Sequence, residues 1–260
     1  MLSDWLKSYE SGTYWLADNH AHKCAVEIHG FGFNDAVPLF SGPMFESTLS
    51  LSPWLIPVSN EVLSIDDKVL NLGIGLNSSA EMSDVLAHLR SLLLASYQGE
   101  DVVFRYYDKS VIGPMLSVMN QSEVNHLLGN IDEVALADES LNRYSNNSQE
   151  EFALKEGVWW KVQERHLKPL YNVNLHAKSI ERRWWNLLPQ MMERLTAPEM
   201  VISGALTRAK TKGYDPEQWE ACALIEVSTK TETHLSELSQ PFQLTFEELK
   251  SLEKIKEAWI

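Results

Sequence analysis

The clearest change of hydrophobic period along the chain lies in residues 101–131, DVVFRYYDKSVIGPMLSVMNQSEVNHLLGNI. Val102, Phe104 and Tyr106 fall on one face of an expected strand and Val103, Arg105 and Tyr107 on the other, because side chains alternate along extended backbone. Large groups on both faces predict an inner strand of a mixed sheet, covered on both sides. Asp108 ends this strand and suits a helix N-cap, and Gly113-Pro114 offers a second helix start with proline in the first helical position. Met115, Leu116, Val118 and Met119 then form an apolar stripe. Ser122 suits the cap of a further short helix, and Gly129 its close.

Before this unit the segments are short and mixed. Residues 13–17 (TYWLA), 55–58 and 69–74 read as strands, and 83–96 as an amphipathic helix with Val85, Leu86, Leu89, Leu92 and Leu93 inward. After residue 150 nearly every segment carries a helical period. Ser148 with Glu151 has capping-box spacing, and Phe152, Trp159, Val162 and His166 fall on one stripe. A helix across 180–195 contains Pro189, which predicts a kink or break. Asp215-Pro216-Glu217-Gln218 is a strong helix start. Residues 245–259 read as a last helix that docks through Leu249, Leu252, Ile255 and Trp259. The pattern predicts an α+β or α/β chain in which a mixed-sheet N-terminal lobe (1–137) leads through a polar, Asn- and Ser-rich linker (138–150) into an all-helical C-terminal lobe (151–260).

Charge sharpens that division. Residues 1–150 hold 7 Lys/Arg against 20 Asp/Glu, net −13, whereas 151–260 hold 15 against 16. A total of −14 argues against sequence-independent nucleic-acid binding, which needs many cationic contacts to phosphate. No apolar run approaches the ~18 residues a membrane span needs, so stable membrane association is not expected. The opening MLSDWLKSYESG lacks the charged and apolar blocks of a signal peptide, so a cytoplasmic protein is expected. Cys24 and Cys222 lie far apart in unlike contexts and read as reduced core residues.

Few constellations carry chemistry. Asp18-Asn19-His20-Ala21-His22 follows a strand and resembles the D-x-H-x-H of amidohydrolase barrels. Two histidines on an extended segment point the same way and can share a metal, with Cys24 and His29 nearby. A metal-dependent hydrolase built on His20 and His22 is therefore the alternative function. Such a barrel also requires later histidines, a final aspartate and a long βα alternation, which the helical second half lacks. The expectation is accordingly no catalytic residue, no metal and no cofactor. There is no G-x-S-x-G elbow and no P-loop, and Gly30-Phe31-Gly32 lacks the third glycine of a dinucleotide fingerprint. Asp66-Asp67, Glu100-Asp101 and Asp132-Glu133 sit at apparent turns as solvated carboxylates. Arg105, inside an apolar strand, needs a partner, and Asp108 is the nearest candidate. Breaking such a buried pair costs roughly 3–5 kcal/mol.

Phe104-Arg105-Tyr106-Tyr107-Asp108, followed by an apolar and then a short helix, resembles the FRFYDPR signature of the type VI secretion effector adaptor family. These effector chaperones were formerly classed as a domain of unknown function. The upstream order matches as well: Pro38-Leu39-Phe40 with Ser41-Gly42, then 51–57 (LSPWLIP), then the helix of 85–94. The resemblance covers residues 12–135, continues weakly beyond, and departs at Lys109, where the family carries proline. It implies a bacterial, cytoplasmic, non-enzymatic adaptor that binds a toxic effector and loads it onto the secretion spike protein VgrG. In the first lobe Arg105, Tyr107 and Asp108 are the candidate contacts. In the helical lobe, adjacent indoles of Trp159-Trp160 and Trp184-Trp185 diverge by about 100° on a helix, so one of each pair faces outward. Arg182-Arg183 precedes the second pair, and residues 155–212 carry 11 Lys/Arg against 5 Asp/Glu. Trp160, Arg182, Arg183 and Trp185 are accordingly candidate effector contacts, since arginine and tryptophan are enriched at interface hot spots. A structural subunit without a client is the third class.

Overall fold

A computed structural model describes residues 1–30 and 32–259. They form two compact units, Met1–Leu170 and Tyr171–Ile260. Phe31, in the glycine pair noted above, lies outside the described residues. The first unit begins with α1 (Leu2–Lys7), β1 (Thr13–Ala17), α2 (Asn19–His29), β2 (Val37–Pro38), a 3-10 stretch Pro43–Leu51 and β3 (Trp54–Pro57). The short helices α3 (Asn60–Leu63) and α4 (Asp67–Leu70), then β4 (Ile74–Asn77) and α5 (Met82–Ser91), follow. A hairpin of β5 (Leu94–Tyr97) and β6 (Glu100–Val103) leads into α6 (Lys109–Leu116), α7 (Gln121–Leu128), β7 (Glu133–Ala137), β8 (Leu141–Ser145), β9 (Trp160–Lys161) and α8 (Glu164–Leu167).

The core of this unit is a six-stranded antiparallel sheet in the order β2-β3-β1-β4-β7-β8. Every residue of β1 and β7 is buried, so the sheet is covered on both faces. Trp15, Ala17, Ile56, Ala135 and Ala137 look toward α1, α2 and α4. Tyr14, Leu16, Leu55, Ile74, Leu76, Val134 and Leu136 look toward α5, α6 and α7. The alternation of a strand thus serves two separate cores. On the first face the fit is close. A Cβ at Gly73 would lie 2.2 Å from the Trp15 Nε1 and 2.8 Å from the Leu16 carbonyl oxygen, while the Trp15 indole itself donates to the Leu70 carbonyl at 3.1 Å. Glu133, expected above to be a solvated turn carboxylate, instead lies in β7 and ties α1 to the sheet: its buried carboxylate accepts from Trp5 Nε1 (3.1 Å), the Tyr9 hydroxyl (3.0 Å) and the Arg143 guanidinium.

Several expectations shift. The strand predicted through residue 107 stops at Val103 and is the exposed edge of a small second sheet, β6-β5-β9. The strands buried on both faces are β1 and β7 instead. Residues 69–74 end α4 and turn into β4, because Asp66 caps α4 through the Lys68 N–H (2.8 Å). The helix of 83–96 stops at Ser91, and Leu94–Tyr97 pairs as β5, an instance of an apolar run that period alone does not assign. Asp108 caps α6 as expected, so Pro114 falls inside that helix and not at a second start. The cap of α7 is Asn120, in a box with Glu123, in place of Ser122, and Gly129 closes the helix. The expected linker 138–150 contains β8, paired to β7 along its length. Residues 152–166 are not one helix: Phe152 and Trp159 pack on His88 (5.0 and 6.0 Å between rings), and the compact unit runs to Leu170.

The second unit is helical: α9 (Val173–Leu187), α10 (Pro189–Met192), α11 (Pro198–Thr211), α12 (Trp219–Lys230), α13 (Ser239–Phe242) and α14 (Phe246–Trp259). Pro189 divides α9 from α10 at Leu188, as its missing N–H requires. Asp215 and Gln218 form the capping box ahead of α12. Leu252 and Trp259 of α14 are buried with Ile180, Trp184, Ile202, Leu206 and Ile225. The chain is α+β, a sheet-bearing N-terminal part followed by helices.

Gly73→Ala is expected to lower stability by about 1–3 kcal/mol, the cost of overpacking a filled site, read as a lower denaturation midpoint with unchanged slope.

Candidate partner-binding surface

The turn after β6 is held from inside and presents its alternate residues outward. Phe104 and Tyr106 are buried; Phe104 stacks on Trp160 (6.4 Å, 13°), and the Tyr106 hydroxyl donates to the Leu89 carbonyl at 2.7 Å. Burial drives the Tyr106 pKa far above the usual phenol value. Arg105 is the correction here. Its side chain is 60% exposed and pairs with Asp108 at 2.6 Å, so no guanidinium is buried in a strand. Asp108 also accepts from the Ser110 N–H (2.9 Å) and hydroxyl (2.6 Å), which makes it the cap of α6. Lys109, at the position where the resemblance expects proline, donates to the Asn71 (2.8 Å) and Ala137 (2.6 Å) carbonyls and pairs with Asp138 (3.1 Å). The ammonium ties the α4–β4 connection and the end of β7 to α6.

Tyr107 is half-buried, edge-on to Phe40 (5.9 Å), which in turn stacks on Phe45 (4.6 Å, 17°). Arg90 fixes this loop from α5 by donating to the Leu39 (3.2 Å) and Pro38 (2.9 Å) carbonyls. Burial raises the Tyr107 pKa, Arg105 opposes the rise, and the Asp108 and Asp18 carboxylates add to it. Beyond Phe45, the stretch Pro43–Leu51 buries no residue. Met44, Leu49 and Leu51 are 65%, 47% and 57% exposed. This apolar surface escaped the sequence reading. Its only signal was an apolar segment, PMFESTLSL, with no partner face of either period.

Trp160 lies elsewhere than expected. It is buried in β9, between Phe104 and His166 (6.1 Å, 9°), and presents nothing to a partner. Trp159 stacks on His126 (5.2 Å) under the Lys155 ammonium and borders a groove of about 520 Å³ lined also by Asn125, Phe152 and Lys155. Beneath it His88 is wholly buried, its Nε2 donating to the Leu127 carbonyl at 3.0 Å. Burial pushes the His88 pKa down to about 4, the Leu127 carbonyl resisting. The histidine pair does not keep its expected geometry. Asp18 caps α2 through the Ala21 N–H (2.7 Å), so His20 and His22 sit on a helix, two positions apart and pointing to different sides. His22 stacks on Trp54 (4.5 Å, 17°), and His20 lies beside Cys24. Among the described residues no three His, Cys, Asp or Glu side chains converge as metal ligands would.

In the helical unit α9 divides its aromatic pair as expected. Trp184 is buried and Trp185 is 40% exposed. Arg182 is exposed, one residue from Arg183, which reaches Glu220 of α12 at 2.5 Å. Arg183 is thus engaged within the unit, while Arg182 and Trp185 face out. No described helix is long and apolar enough to cross a membrane.

Residues 13–126 match the family model described as "Domain of unknown function (DUF4123)". The chain matches no curated protein and no solved structure. The matched stretch runs from β1 into α7 and holds the Phe104–Lys109 turn, the Phe40–Phe45 stack and the exposed Met44–Leu51 surface; it does not reach the helical unit.

Arg105→Ala is expected to cost no more than ~1 kcal/mol, as exposed pairs do, whereas Asp108→Ala, which strips a cap, costs about 0.5–2 kcal/mol; paired urea titrations of the two variants check the order. A second expectation concerns acid. A histidine whose folded pKa lies below its unfolded value stabilises the fold above the unfolded value and loses that contribution as pH falls. Between pH ~6.5 and ~4, His88 therefore withdraws about 3 kcal/mol, and burial lowers His126 and His166 in the same direction. His88→Gln should flatten this limb of the stability–pH curve.

Proposed function

We propose that this protein is a cytoplasmic adaptor that binds a type VI secretion effector and loads it onto the VgrG spike, catalysing no reaction of its own. The observation that carries the reading is the pairing of two features in one stretch. The ordered motifs that resemble the effector adaptors lie in residues 13–126, and that same stretch presents exposed Met44, Leu49 and Leu51 beside the Phe40–Phe45–Tyr107 aromatic group. Several exposed apolar residues gathered on one short stretch suit a surface that a partner covers. Arg105 and Asp108 flank that group as a polar rim, the arrangement of a protein interface.

The helical unit supplies a second surface of different chemistry, Arg182 with the Trp185 indole. Arginine and tryptophan supply most of the energy at many interfaces, and a basic window in an acidic chain orients an incoming partner. In this reading the effector meets the helical unit and the spike meets the first. An adaptor needs both contacts, because it hands one protein to another.

The test is recovery of the tagged full chain from its own cells with identification of its partners. One toxin effector and VgrG are expected, and recovery of neither sinks the reading. Arg182→Glu with Trp185→Ala is expected to lower effector capture at least about tenfold (~1.4 kcal/mol) while VgrG capture persists. Met44→Asp with Leu51→Asp is expected to do the reverse. Arg183 is left intact because its reversal would also break the pair with Glu220.

A further inference from the structure

The second unit carries a groove of about 600 Å³ between the turn before α11, one flank of α11, and the end of α12. α11 uses Ile202, Ala205, Leu206 and Ala209 for its own core. On its other side α11 lines the groove with Met200, Val201 and Gly204, together with Ala205 and the N-cap residue Ala197. Met200 is 74% exposed, and a Cβ at Gly204 would meet nothing within 4 Å. The floor is open, apolar and unfilled by the unit's own side chains.

The rim is cationic. Arg194, Arg208 and Lys230 border the groove, and Glu226 is the only acid among its lining residues. That carboxylate is already shared: it pairs with Arg208, lies 3.8 Å from Lys230 and accepts from the Trp259 Nε1 at 3.1 Å. Arg208 further stacks over Trp259 at 4.2 Å, which fixes its guanidinium at the groove edge. Arg194, one of the lining residues, donates one N–H to the Thr231 carbonyl at 2.9 Å, and a guanidinium carries further donors besides that one. Three cations against one shared acid leave net positive charge around an apolar trough.

We infer that this groove takes a carboxylate-bearing peptide segment of a client protein, with an apolar side chain seated on Met200 and Val201 and its acids on Arg194 and Lys230. The inference rests on the adaptor reading for the client and adds where and by what chemistry it docks. A concave trough suits a chain segment better than the flat surface of a membrane, and an apolar floor suits it better than a free small anion. Arginine forks bind carboxylates bidentately, so the acids also set direction.

The experiment measures binding of two fluorescent peptides to the full chain, one of alternating leucine and glutamate turns and one with lysine for each glutamate. The glutamate peptide is expected to bind, weakening as salt rises, and the lysine peptide to bind at least about tenfold more weakly. Met200→Asp and Lys230→Glu, both exposed positions, each weaken the glutamate peptide about tenfold. Gly204→Leu does the same by filling the trough, while its melting temperature holds or rises because glycine costs a helix about 1 kcal/mol. Equal binding of both peptides, or wild-type binding by a folded Gly204→Leu variant, overturns the proposal. So does capture by anionic lipid vesicles that Met200→Asp abolishes, which assigns the groove to a membrane. Peptide binding without any effector recovered from cells keeps the groove and removes the adaptor reading; recovered effector with Gly204→Leu unchanged does the opposite.

Discussion

The constraint on which the first unit depends is that its central strands are buried on both faces. β1 and β7 expose no residue, so every position must find a core, and alternate positions must find different ones. A sheet of this kind cannot leave either face to water. α1, α2 and α4 cover one side and α5, α6 and α7 the other, and the connections from β1 to β2, β3 to β4 and β4 to β7 carry helices for that reason. The small residues follow from the same demand: Gly73 lets the Trp15 indole reach the Leu70 carbonyl, and Gly75 leaves room for Leu2 and Trp5 of α1.

Once both faces are covered, the helices themselves must be fastened, and the turn of Phe104–Lys109 does much of this. Tyr106 bonds α5, Lys109 bonds the ends of α4 and β7, and Asp108 starts α6. Inward residues of the turn are fixed by packing, so the outward ones, Arg105 and Tyr107, are held in place at little further cost in side-chain freedom. That is how a surface becomes preorganised for a partner, with the ordering entropy already spent in folding. The Phe40–Phe45 stack gains from the same scaffold through Arg90.

The two units expose surfaces of different chemistry. The first displays uncovered apolar residues on a non-repetitive 3-10 stretch, Pro43–Leu51, beside aromatic rings. The second combines cations with a few apolar or aromatic residues on regular helices, at Arg182 and Trp185 on α9 and around Met200 on α11. Apolar cover favours affinity, whereas charge favours orientation and rate. The adaptor function proposed above would draw on both.

Local signals in the sequence determined a good deal. Asp108, Asp215, Pro189 and Gly129 mark helix ends by local chemistry, of the side chain for the aspartates and of the backbone for proline and glycine, and each does so in the structure. The division of Trp184 from Trp185 followed from helical geometry alone. Questions of partner and depth were settled by packing. An apolar run such as Leu92-Leu93-Leu94 satisfies either period, and pairing with β6 and β9 made its end a strand. Arg105 looked buried because its neighbours are apolar, yet the strand ends at Val103 and the side chain turns to water. Residues 141–145, polar enough for a linker, became the edge strand β8 because β7 had an open side to pair. His20 and His22 were parted when Asp18 capped a helix over an extended segment, and Trp160 was taken inside by Phe104 and His166. The exposed Met44–Leu51 surface and the groove beside α11 are absences of contact, and an absence of contact has no signature in a one-dimensional pattern.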